Sequence, residues 1–146
     1  MVEQTVPIET VSSHGTPIIG VHVGQQYKFP FTVNISVGNI GGPSAGMMFA
    51  LGIIDKLTHD NLTGGKFIAG TGEITPAGQV GPIGGIQQKM VAARSAGATI
   101  FLTPAGNCVN TAGAVPAGLR LVKVATLTQA VDDLEAIRAG KSAPSC

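Results

Sequence analysis

The segment Gly42-Pro43-Ser44-Ala45-Gly46 has the form G-x-S-x-G, a serine in a glycine-rich turn at the head of a helix. A serine placed there has two advantages as a nucleophile. Its hydroxyl stands clear of the sheet behind it, and the N–H groups and dipole of the helix start can stabilise an oxyanion. The same five residues also describe an ordinary capping serine, so chemistry requires a base. A Ser-acid-His triad fails on placement. Only His59 follows Ser44, and the helix predicted between them separates the two by about 22 Å at ~1.5 Å per residue. His14 and His22 precede the serine, with no well-placed acid.

Lysine is the other known base for a serine nucleophile. It has to be unprotonated when it takes the proton, so it must lie where desolvation disfavours the ammonium. Lys89 is the only lysine from Phe67 through Val122. On a helix over 85–96 its three- and four-residue neighbours are Gly85, Ile86, Ala92 and Ala93, all small or apolar, which puts Lys89 beside the inward face. A lysine that snorkels to water along its stem is the alternative.

The elements that must position these groups follow from periodicity. Ile19, Val21 and Val23, then Phe31, Val33, Ile35 and Val37, are apolar at every second position and predict two strands. Pro43 suits the first turn of a helix that should run from Ser44 to Leu57. A short strand over 66–69 precedes Thr71–Thr75, which turns through Pro76-Ala77-Gly78 into Gln79-Val80. The helix over 85–96 ends at Gly97. Strands follow at 99–102 and 120–124, around a short weak helix at 107–112. A last helix opens with Thr126 and Gln129 at capping-box spacing and ends near Gly140. The order gives one α/β domain over 1–146, a mixed sheet with packed helices and a loose tail at 141–146.

Composition excludes several function classes. Charged residues are 12% of the 146 and hydrophobic ones 44%, against about 25% charged in an average chain, which excludes disorder. Nine Lys and Arg against eight Asp and Glu leave no basic field for a phosphate backbone, so no nucleic acid is expected as partner. The longest apolar run, 45–54, stops at Asp55, well short of the about 20 residues of a membrane span. The opening Met1-Val2-Glu3-Gln4 carries no signal-peptide pattern and is expected to begin a mature fragment. Three scattered histidines and no H-E-x-x-H give no metal site, and no cofactor is expected. Cys108 and Cys146 are either a bridge that pins the tail in an oxidising compartment or two unrelated thiols.

Beyond Gly42–Gly46, the runs Thr71-Gly72-Glu73-Ile74-Thr75, Gly78-Gln79-Val80 and Gly81-Pro82-Ile83-Gly84-Gly85-Ile86, with Lys89 ahead of Ala92-Ala93-Arg94-Ser95-Ala96-Gly97-Ala98, resemble the proteolytic domain of Lon proteases. The likeness covers about 31–107, and its motifs stand in the family's order. It implies a serine endopeptidase acting on polypeptide substrates through a Ser-Lys dyad, with Ser44 as nucleophile and Lys89 as general base. It further implies that the Thr71 hydroxyl helps orient the lysine and that the backbone N–H groups of Gly42 and Ser44 form the oxyanion hole. One departure is Gly41, where many members carry an acidic residue; that bears on the loop ahead of the nucleophile and its resting state.

No G-x-x-x-x-G-K-[ST] phosphate loop is present, so the resemblance is to the protease part alone. It is greatest to the ATP-independent, membrane-anchored bacterial group that joins a transmembrane segment and a PDZ domain to this domain. That implies a fragment of a longer protein lying on the extracytoplasmic face, which suits a Cys108–Cys146 bridge. Rings are common among Lon-like domains, so a homo-oligomer is a further expectation. Two alternatives stay open: a small-molecule kinase-like domain holding nucleotide phosphates at 38–44, and a catalytically silent binding domain on the same scaffold.

Overall fold

The computed structural model describes residues 5–19, 30–36, 42–58 and 61–146. The chain divides into two units, Met1–Thr32 and Val33–Cys146, each taken by itself. In the first, β1 (Val11–Ser13) and β2 (Thr16–Ile18) form an antiparallel hairpin. Its two-residue turn, His14-Gly15, has φ of 53° and 80°, the left-handed pair that matches strand twist in a tight hairpin. The sequence reading places no strand there. Its first predicted strand, 19–23, falls almost wholly outside the described residues. Of its second, 31–37, residues 31–36 are described and none is assigned to a strand, and Val37 lies outside them.

In the second unit a 3-10 turn, Pro43–Ala45, leads into α1 (Gly46–Leu57). There follow β3 (Ile68–Gly70), β4 (Glu73–Ile74), β5 (Val80–Gly81), α2 (Ile86–Ser95), β6 (Ile100–Pro104), β7 (Arg120–Val124) and α3 (Leu127–Arg138). A 3-10 segment, Ala105–Asn110, connects β6 to β7. β3, β6 and β7 form a parallel sheet in that order, with Ile68 opposite Ile100 and Ile100 opposite Arg120. β4 and β5 pair antiparallel. The α/β class with a mixed set of sheets is the one expected.

β6 is buried along its whole length, so its alternating side chains feed two cores. Ile100 and Leu102 join Met47 and Leu51 of α1, Val122 and Val124 of β7, and Leu134 and Ile137 of α3. Phe101 points the other way and meets Ile86, Met90 and Ala93 of α2 with Leu119 and Leu121. The parallel sheet is therefore covered by α1 and α3 on one face and by α2 on the other.

The segment after α3 is held. Lys123 N–H donates to the Pro144 carbonyl at 2.9 Å, and Ala143 packs on the α1/α3 core. Cys146 is joined by a disulfide to Cys108, 38 residues earlier. Closing a loop of that size removes about 4 kcal/mol of chain entropy from the unfolded state.

α3 opens as its sequence signals: the Thr126 hydroxyl accepts Gln129 N–H at 3.1 Å. Its buried face includes a carboxyl, Asp133, 8% exposed and bonded by Gln129 Nε2 at 3.3 Å. Burial holds this group above the ordinary value of 3.8, the Gln129 bond opposes that shift, and neighbouring Asp132 adds to it. A carboxyl raised by folding favours the fold in its protonated form. That contribution is complete below pH 3.8 and is lost as pH rises through the folded value. Asp133→Asn keeps an acceptor for Gln129 and removes the buried charge. The melting temperature should rise at pH 7 and not at pH 3, and an equal shift at both would contradict a charge effect.

Candidate active site

Ser44 and Lys89 approach from opposite layers. Ser44 belongs to the turn that starts α1, and Lys89 lies in the first turns of α2, on the other face of the sheet. They meet beyond the C-terminal end of β3, where the Gly72 N–H bonds the Ser44 carbonyl. Lys89 Nζ lies 3.4 Å from Ser44 Oγ, and both residues are half-buried. That distance is at the long end for a hydrogen bond.

The turn carrying Ser44 is fixed through its carbonyl oxygen. Thr71 Oγ1 donates to it at 2.8 Å, and Gly72 N–H donates to it at 2.8 Å. In return Met47 N–H, a donor of the first turn of α1, reaches the Gly72 carbonyl at 3.0 Å. Thr71 itself is 3% exposed, and its N–H continues the β3–β6 ladder to the Leu102 carbonyl at 3.2 Å. The turn that carries Ser44 is thus laced to residues 71–72, which are anchored to the central strand. The Thr71 hydroxyl donates to the serine's own carbonyl, whereas the resemblance directs it to the lysine.

The two glycines of the serine motif serve different needs. Gly42 has φ of 89°, a conformation that side chains rarely adopt, and a β-carbon there would meet nothing within 4 Å. Gly46 has an ordinary helical φ, but a β-carbon on it would lie 3.0 Å from Ile74 Cγ2 and 3.4 Å from Ile74 N. The first glycine permits the turn, and the second lets α1 approach β4.

α2 brings Lys89 to the site through its packing. Ile86, Met90 and Ala93 are buried, and Lys89 flanks that stripe, as its helical neighbours suggest. Lys89 N–H closes the first turn of α2 on the Gly85 carbonyl at 3.1 Å, and Gly85, at φ 69°, turns the chain into the helix. Of the other residues weighed in sequence, His14 sits in the β1–β2 turn, and Gly41, His22 and His59 lie outside the described residues. Sequence reasoning missed the Gly72 N–H, because a backbone donor leaves no residue-type signal.

Comparison with known proteins accords with this arrangement. The family model for the Lon protease C-terminal proteolytic domain matches residues 29–137. Lon protease 2 of Herpetosiphon aurantiacus is 37% identical over 91 residues, 61% of this chain and 11% of that protein. Lon protease of Clostridioides difficile is 48% identical over 63 residues, 43% of this chain and 8% of that protein. Lon protease 1 of Bacillus subtilis is 32% identical over 94 residues, 63% of this chain and 12% of that protein. The fold and the matched span define a proteolytic domain. The chain belongs to the Lon protease C-terminal proteolytic domain family, and its aligned part spans about a tenth of the length of these relatives.

Thr71→Val removes the hydroxyl bond to the Ser44 carbonyl and keeps the branched shape. Unfolding free energy should fall by about 1 kcal/mol, read from the urea midpoint at constant slope. An unchanged midpoint would show that the hydroxyl does not support the turn.

Proposed function

We propose that this chain is the catalytic domain of a serine endopeptidase that hydrolyses proteins with a Ser44–Lys89 dyad and without ATP. The observation that carries the reading is the 3.4 Å contact between Lys89 Nζ and Ser44 Oγ, made across 45 residues of sequence from two separate layers. A kinase-like use of the glycine-serine loop gives Lys89 no task, so the contact favours the peptidase.

In the proposed cycle the neutral Lys89 amine takes the Ser44 hydroxyl proton as Oγ bonds to the scissile carbonyl carbon. The carbonyl oxygen becomes an oxyanion, stabilised by the backbone N–H groups of Gly42 and Ser44 near the positive end of α1. As the C–N bond breaks, the Lys89 ammonium returns the proton to the leaving amine, and an ester on Ser44 remains. Water then attacks that ester. Lys89 takes the water's proton and passes it to Ser44 Oγ as the acid product leaves. Thr71 supports the dyad by holding the Ser44 carbonyl, so that the hydroxyl keeps its direction while Oγ changes bonding.

The wider setting is proposed on the same footing. Residues 1–146 form one protease domain of a longer protein, of the membrane-anchored, PDZ-containing kind, with this domain on the extracytoplasmic face and able to assemble with copies of itself. The Cys108–Cys146 bridge supports an oxidising location. Among the described residues no helix is long and apolar enough to cross a membrane, so an anchor would be supplied elsewhere in the longer protein. Polypeptides are the proposed substrates, and the near-neutral charge gives no support to a nucleic-acid partner.

The test is digestion of a labelled unfolded protein, without ATP, by wild type, Ser44→Ala and Lys89→Met. Wild type should cleave, and each variant should lose about a thousandfold or more in rate while keeping its fold. A Lys89→Met protein that cleaves at the wild-type rate would remove lysine from the mechanism. Cleavage by all three would overturn the site.

A further inference from the structure

Asn107 lies in the 3-10 segment after β6, on the far side of the sequence from Ser44, and none of the chemistry above uses it. It is 4% exposed, and both ends of its amide are spent on one residue. Ile83 N–H donates to Asn107 Oδ1 at 2.8 Å, and Asn107 Nδ2 donates to the Ile83 carbonyl at 2.9 Å. This is the paired geometry of a strand ladder, made by a side chain with a loop that has no strand beside it. Around it the same segment touches the approach to α2 twice more. Gln87 Nε2 donates to the Asn110 carbonyl at 3.0 Å, and a β-carbon on Gly106 would lie 3.3 Å from Pro82 Cβ.

The held loop is the one that delivers the lysine. From Ile83 the chain runs through Gly84 to Gly85, whose carbonyl accepts Lys89 N–H at 3.1 Å. The packing of Ile86, Met90 and Ala93 fixes which face of α2 turns inward. Side-chain packing tolerates small slides and rotations at a helix end, whereas two short hydrogen bonds to one peptide residue do not. The Lys89–Ser44 separation of 3.4 Å has no slack. A shift of about 1 Å at the start of α2 would open the contact, and misplacements of that size cost up to about a hundredfold in rate.

We propose that Asn107 is a positioning residue of the peptidase: by clamping the Ile83 peptide groups it sets the start of α2, and hence Lys89, at bonding distance from Ser44. The inference rests on the dyad reading and adds a residue to it that touches neither substrate nor reacting atoms.

The experiment compares wild type, Asn107→Ala and Asn107→Asp in peptide hydrolysis and in amide hydrogen exchange, at a temperature well below every melting transition. Asn107→Asp keeps the acceptor for Ile83 N–H and sets a carboxylate oxygen against the Ile83 carbonyl oxygen, so it breaks the donor half of the clamp. The expected result is a fall in kcat of about tenfold or more for Asn107→Ala and for Asn107→Asp, with KM within about twofold. The Lys89 amide is the informative exchange probe, because its own acceptor at Gly85 is unchanged. It should lose protection by a larger factor than Leu102 and Val122 in the central strands. Equal acceleration at all three positions, or unchanged kcat, would reduce Asn107 to a structural residue and overturn the inference. If the wild type itself cleaves nothing, the dyad reading fails, and the Lys89 exchange still decides whether Asn107 holds the start of α2.

Discussion

The arrangement depends on how the carbonyl oxygen of Ser44 is held. A hydroxyl can be aimed only if the peptide that bears it is fixed, and a turn ahead of a helix has no ladder to fix it. Here the Thr71 hydroxyl and the Gly72 N–H both donate to that oxygen at 2.8 Å. Gly72 also gives its carbonyl to Met47 N–H, so the end of α1 that would otherwise lack partners is joined to the same two residues. Thr71 is tied in turn to Leu102 in the most buried strand. The serine is thereby rigid with respect to the core, although it sits in a turn.

Lys89 reaches Ser44 by a separate route. α1 and α2 pack on opposite faces of the sheet, against cores that share β6 and β7 and no helix. The Lys89–Ser44 contact is therefore a report on the packing of both layers. Substitutions far from the site can disturb it from either side, through Met47 and Leu51 under the serine or through Met90 and Phe101 under the lysine.

Much of this frame was legible in the sequence. Start and stop signals such as Pro43, Gly97 and Thr126 placed α1, α2 and α3 within about two residues, Thr126 caps α3 through Gln129 N–H, and β7 has its predicted span. Ser44 and Lys89 were singled out by type and setting, and the structure brings them together. What stayed hidden was partnership. Pattern marks a strand without naming its neighbour, so the order β3-β6-β7 was not readable. β4 begins only at Glu73, because Gly72 gives both its N–H and its carbonyl to the start of α1 while Thr71 still extends the β3–β6 ladder. The weak helix expected at 107–112 is instead a 3-10 segment at 105–110, whose Asn107 side chain is committed to Ile83. In the last two cases a side chain, Thr71 or Asn107, binds a backbone group distant in sequence.

The claim at the centre is that Ser44 attacks and Lys89 makes it able to. The most direct measurement is to acylate the protein with a reactive peptidyl ester, quench it, and map the modified residue by mass spectrometry in wild type and Lys89→Met. The account predicts a single acyl group on Ser44 that forms in the wild type and fails to accumulate on the same timescale without the lysine. An acyl group on another residue, or equal rates of Ser44 modification in both proteins, would contradict it.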